Sequence, residues 1–290
     1  MTTLLIVVTA IGFGAGDFFA GLASRKAPVL TVSLYSQLVA LGLAFLAVVF
    51  LGGVPDLSQL IWGFAAGLAV GLGIVRYYRG LTRGAMGWVA TVMGVFSAMV
   101  PFAMGVSLGE RPSGTAVIGV FTVIAALFFV IRRKDGEEGG APDKSGPVRG
   151  KNGANLAGIG DGILAGICFG FSFVFLGMAS TGNPLWPVLM TLAGSIPPIL
   201  VFRFLKAHEH GRLNGSWSLI VATGLFQGLA FIAFALAVLD GYISIVSVAG
   251  ALSPIATSLL AFLVLCERFT RLQLFALGIV LAGIVCLVLG

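Results

Sequence analysis

Apolar residues run along this chain in blocks of about 20, the length a helix needs to cross a hydrocarbon core. Polar and charged residues gather in the short gaps between them. The blocks predict helices over 3–22, 29–51, 59–79, 85–107, 113–131, 157–179, 185–205, 217–238, 241–264 and 271–289. Membrane barrels are written differently, as short segments of alternating polarity. One stretch breaks the pattern. Residues 132–155 are dense in Lys, Asp, Glu, Gly and Pro and read as a flexible tether. The expected architecture is an all-α polytopic membrane protein, with five helices in 1–131, the tether at 132–155, and five more in 156–290.

Composition removes the alternatives. The chain is 58% hydrophobic and 10% charged, where a soluble domain carries about 25% charged residues. A soluble enzyme and a disordered chain are both excluded. Cys168, Cys266 and Cys286 lie in or at the edge of apolar blocks without metal-ligand spacing, so they read as small hydrophobes. His208, Glu209 and His210 cluster in a loop with nothing nearby to complete a metal cage. No metal, cofactor or nucleic acid is expected, because the basic residues flank the apolar blocks and so report topology. Arg111 stands alone on one side, and the other sixteen Lys and Arg residues fall on the opposite side. The positive-inside rule therefore places the tether in the cytoplasm and both termini outside. The first block is long enough to span and has no basic residue before it, so it reads as a retained helix and not as a cleaved leader. A plasma membrane, that of a bacterial inner membrane, is the expected location.

The two halves repeat one another. Residues 77–111 align with 234–268 without a gap; Gly84 meets Gly241, Val89 meets Val246, and Glu110-Arg111 meets Glu267-Arg268. Upstream, Gly67 and Gly71 meet Gly224 and Gly228, and Gly21-Leu-Ala-Ser24 meets Gly177-Met-Ala-Ser180. An odd number of helices per copy forces the second to enter from the opposite face, giving two inverted five-helix repeats. Such repeats recur in secondary transporters, with the substrate near the midplane between them.

With ten helices as five plus five, a Glu-Arg pair after the fourth and ninth, the Ser253-Pro254 step, and Gly14-Ala-Gly-Asp-Phe-Phe-Ala-Gly-Leu-Ala-Ser-Arg25, the chain resembles the drug/metabolite transporter superfamily with two EamA-type domains. The resemblance implies movement of small metabolites, often amino acids or other hydrophilic compounds, without ATP. The first copy departs from the second in having Ser97 where the other has Pro254.

Asp17 is the leading site candidate. A carboxylate within a span is expensive and marks function by default. It is suited to a substrate ammonium or a coupling proton, and a structural ion pair with Arg76 is the competing role. Its repeat counterpart is Phe173, so a charge-based site would be asymmetric. Phe13 lies one turn away on the same face. Gln37, Tyr77, Trp88, Gln227 and Ser253 add polar or aromatic groups within spans, and these need partners from a cavity or a neighbouring helix. Glu110 and Glu267 end one helix and precede the next, which is a structural position, so no catalytic residue is assigned. Asp161 and Asp240, near span ends, are expected to be solvated. Gly63, Gly67 and Gly71, and Gly158, Gly162, Gly166 and Gly170, recur every four residues and predict close helix packing.

The expected function is secondary transport of small organic metabolites such as amino acids, in the export direction, with proton or exchange coupling. Flipping of an amphiphilic lipid or lipid-linked carrier is the alternative. The expected partners are the substrate and the bilayer, and two repeats in one chain leave room for a homodimer without requiring it.

Overall fold

The computed structural model describes residues 2–24, 26–83, 86–109, 111, 113–115, 117–119, 121–122, 156–180, 182–205 and 215–239, with positions 246, 253, 256, 260, 263, 264 and 279 beyond them. At 78, 81–83, 86–92 and 156–157 only the backbone is described. Seven helices result: α1 (Thr2–Ser24), α2 (Val29–Leu51), α3 (Leu57–Arg83), α4 (Met86–Ser107), α5 (Leu156–Ala179), α6 (Leu185–Leu205) and α7 (Trp217–Leu239). No strand occurs among the described residues. Each helix begins and ends within four residues of the sequence expectation. The largest difference is at α3, which continues to Arg83 because backbone hydrogen bonding outlasts the apolar run. The fifth, ninth and tenth expected segments, and the tether, lie largely outside the described residues; positions 246, 253 and 260 in the ninth are helical.

Among the described residues, six helices are long and apolar enough to span a bilayer: α1, α2, α5, α6, α7 and the Leu57–Tyr77 part of α3. Their exposed faces are apolar. On α3, Leu57, Ile61, Phe64, Leu68 and Leu72 form an exposed stripe, as do Trp217, Val221, Leu225 and Leu229 on α7. Water would penalise these surfaces, and lipid does not. The chain is a multi-pass membrane protein.

Small residues occupy the inner faces. A methyl group at Gly71 would stand 2.5 Å from the Ser195 carbonyl, and one at Gly194 would stand 2.6 Å from the Phe64 carbonyl. With no Cβ at these positions the α3 and α6 backbones come into contact, which the four-residue glycine spacing predicted. Gly224 does the same against Ser36 of α2, and Gly228 faces Ala40 and the Leu43 side chain one turn on. The loops follow local chemistry: Gly53, at φ +57°, lets the chain leave α2. The Gly52 carbonyl accepts hydrogen bonds from Asn183 Nδ2 and, at 3.0 Å, from Trp186 Nε1, tying that turn to the start of α6.

Neighbours alternate between the halves in the order α4, α5, α3, α6, α2, α7, α1. The pairings come in matched sets: α1 with α7 is first-with-third, as is α5 with α3; α2 with α7 is second-with-third, as is α6 with α3. Directions follow from residue contacts. Gly63 and Gly71 meet Pro187 and Ser195, so α3 and α6 run parallel; Gly12 and Gly16 meet Ala230 and Gln227, so α1 and α7 run antiparallel. Arg76 meets Asp161 while Trp62 meets Phe175, so α3 and α5 are antiparallel. Arg203 meets Thr31 while Trp186 meets Gly52, so α2 and α6 are antiparallel. With the parallel pair α2 and α7, α1 therefore runs opposite to α5, α2 to α6, and α3 to α7.

Candidate functional site

Four phenylalanines from three helices meet inside the bundle. Phe13 of α1 lies edge-on to Phe231 of α7 at 4.9 Å and to Phe173 of α5 at 6.0 Å; Phe173 also meets Phe234 at 5.0 Å. Phe173, Phe231 and Phe234 are buried, and the core around them includes Ala44, Val48, Val70, Leu176, Val188 and Leu192. From the end where α5 begins, a rise of 1.5 Å per residue puts the four rings at depths of about 16–26 Å. Among the described residues the core thus lies toward the half of the bundle that carries the α2–α3 turn.

Polar groups lie in the other half. On the same scale Asp17, Gln37 and Gln227 are about 10–15 Å deep. Asp17 is one turn from Phe13 on the face that looks into the bundle, yet it is exposed between buried Gly16 and Phe18. Its carboxylate accepts a hydrogen bond from Ser253, in the other half of the chain. That contact is first-with-fourth, the counterpart of α5 with α4. The Gln227 stem packs on Gly16, where a methyl group would stand 2.7 Å from its Cγ. Asp17, Ser253, Gln227 and Phe13 thus form one constellation, with Phe173 closing it through Phe13.

Gln37 is 2% exposed on α2, and its Oε1 has no hydrogen-bond partner among the described residues. Tyr77 is half-buried on α3. Trp88 lies on α4, with its side chain outside the described residues. Arg76 is drawn elsewhere. Its Nη1 donates to Asp161 Oδ1 at 3.3 Å, and Arg79 Nε stands 3.5 Å from Asp161 Oδ2. This corrects two sequence readings. Asp161 is not solvated but 5% exposed, and the ion pair of Arg76 is with it and not with Asp17. The reason is geometric: α3 and α5 are antiparallel, so the charged end of one lies beside the first turns of the other. Asp240 lies outside the described residues.

Sequence reading missed Asp161, Phe231 and Phe234. Asp161 carried a signal, being a carboxylate one and a half turns into a span on the same side as Arg76 and Arg79. The two phenylalanines carried none among 23 of their kind. No group of His, Cys, Asp or Glu suited to a metal occurs among the described residues.

A family profile described as the EamA-like transporter family matches residues 1–132 and 156–289. One solved structure, described only as the crystal structure of a protein, is similar at a TM-score of 0.74 over 97% of this chain and 96% of its own. Identity between the two is 16%, so what they share is the fold. No curated protein matches the chain.

Proposed function

We propose that this chain, which belongs to the EamA-like transporter family, is a ten-helix secondary transporter built from two inverted five-helix repeats. It moves small organic metabolites such as amino acids or related compounds, in the export direction and without ATP, across a bacterial inner membrane. The tether at 132–155 lies in the cytoplasm and the termini outside, and 1–131 and 156–290 are the two repeats.

One observation carries this reading: Asp17, an exposed carboxylate within a span, is held by Ser253 of the other half on the tether side of a packed aromatic core. A charge kept in the bundle at this depth has work to do. It contacts the substrate or a coupling proton, with Gln227 beside it and Phe13 as the adjoining wall. The aromatic core seals the outer half, so the conformation opens inward. Matched, oppositely directed contacts between the halves supply a second packing of nearly equal energy, in which the inner half closes and the outer opens.

The test is counterflow in proteoliposomes. Vesicles preloaded with one of a panel of amino acids and related metabolites should accumulate the labelled compound without nucleotide, and Asp17→Asn should abolish or uncouple that accumulation while the protein still folds. A panel-wide failure together with full activity of D17N in cells would refute the proposal. Lipid scrambling by the same vesicles would replace it with the flippase reading.

A further inference from the structure

The Gln37 carboxamide stands inside the bundle with its acceptor unused. Gln37 is 2% exposed, and its Oε1 is buried with no hydrogen-bond partner among the described residues. Donors at a similar depth are committed elsewhere: the hydroxyls of Ser36 on α2, Ser195 on α6 and Thr223 on α7 each donate to a backbone carbonyl of their own helix. A stranded acceptor in an apolar interior is costly, and Leu or Met would fill the same volume without that cost. Its position is also particular. Gln37 lies three residues before Ala40 and seven before Ala44, both in the core, so it occupies the inward face of α2 on the tether side of that core. Asp17 and Gln227 stand four residues from the core rings Phe13 and Phe231, on the same side and at the same depth of about 10–15 Å. Between them runs α7. Its positions 223, 227 and 230 meet α1, and 224 and 228 meet α2, so Asp17 and Gln37 flank one corner of this helix.

We propose that Gln37 determines specificity in the site at Asp17: its Oε1 accepts a hydrogen bond from a second donor on the substrate, which is a small amine. This rests on the transport reading above and names the substrate class of the same site. Charge decides the class. In the sequence every Lys and Arg flanks the apolar blocks, and the two nearest the interior on α3, Arg76 and Arg79, are drawn to Asp161. A substrate ammonium therefore has a counter-ion in Asp17, whereas a substrate carboxylate meets no basic residue at this depth. The Asp17 carboxylate and Gln37 Oε1 are both acceptors, so the matching ligand carries donors at two ends. Its ammonium meets Asp17, and an N–H or O–H meets Gln37. Diamines and amino alcohols fit this pattern. A plain alkylamine satisfies Asp17 but leaves Oε1 unpaired, and a site built around a hydrogen bond rejects the analogue that lacks the donor.

The test reads thermal unfolding of the purified full chain against rising concentrations of three amines of equal length: 4-aminobutanol, 1,4-diaminobutane and n-pentylamine. Binding raises the midpoint by mass action. Wild type should reach a given rise at about tenfold lower concentration of the first two than of n-pentylamine, the discrimination expected of one buried hydrogen bond. Gln37→Met keeps the length of the side chain and removes the acceptor. It should respond equally to all three amines, at the wild-type level for n-pentylamine, and without ligand it should unfold at or above the wild-type temperature. Gln37→Leu serves if Q37M does not fold. A merely structural glutamine would move the midpoint and not the preference among amines. Equal responses of wild type to 4-aminobutanol and n-pentylamine, a preference that survives in Q37M, or no response to any amine would each overturn the inference. Counterflow separates this from failure of the transport reading: a wild type that exchanges members of the metabolite panel keeps that reading whatever the amines do.

Discussion

The ion cluster on α3 and α5 makes an unequal prediction for its members. Removing both arginines (Arg76→Gln with Arg79→Gln) strands the Asp161 carboxylate, whose side chain is 6% exposed. Breaking a buried pair in this way costs about 3–5 kcal/mol, because the remaining buried charge has lost both of its cations. Removing the carboxylate (Asp161→Asn) strands two cations instead. Each is more than a third exposed, and its long stem can turn toward the interface, so solvent screening reduces the loss to about 1 kcal/mol. The triple variant removes every charge and should return to within about 1 kcal/mol of wild type. Equilibrium unfolding by dodecyl sulfate in mixed micelles, followed by tryptophan fluorescence, measures all four proteins. The expected order is wild type, then the triple variant and D161N, with the double arginine variant far below. If D161N were as damaging as the double variant, or if the triple variant gave no recovery, the carboxylate would not be the stranded partner and the argument would fail.

Further outcomes follow from other contacts. Gly67→Ala should cost about 1–3 kcal/mol by forcing α3 from α6, whereas Gly21→Ala, whose added methyl meets nothing within 4 Å, should leave the unfolding midpoint unchanged or raised. Asp17→Cys should react with a membrane-impermeant thiol reagent from the tether side and not from the other, as read by gel shift in right-side-out and inverted vesicles. Val54→Cys, at a position 92% exposed in the α2–α3 turn, should show the opposite sidedness. Phe234→Ala removes a fully buried ring and should destabilise by about 3–5 kcal/mol, and it should also increase labelling of Asp17→Cys from the far side.

Helix positions were legible because a spanning helix must satisfy its backbone within itself, which leaves length and apolarity as the governing variables. The four-residue glycine spacing likewise announced the contacts of α3 with α6 and of α5 with α4. The site was legible only in part. Asp17 declared itself as a charge in an apolar run, and Phe13 followed by helical spacing. Asp161 was misread because depth along one helix was taken as exposure, while its environment is set by α3, a helix eighty residues away in the chain. Phe231 and Phe234 could not be singled out, since a ring facing the bundle centre and one facing lipid have the same hydropathy. Which face turns inward is decided by neighbours, and the sequence of one helix does not contain them.

The matched pairing of helices stops short of the charges. In the other copy, the places of Asp17, Asp161 and Arg76 are held by Phe173, Leu5 and Ala233. The two halves share a scaffold but not a workload. A chain assembled from two first halves would carry Asp17 twice and leave Arg76 without Asp161, and one from two second halves would carry Asp161 twice without Asp17 or Arg76. Neither chimera should carry cargo, because the acid of the candidate site comes from one copy and the acid of the ion cluster from the other.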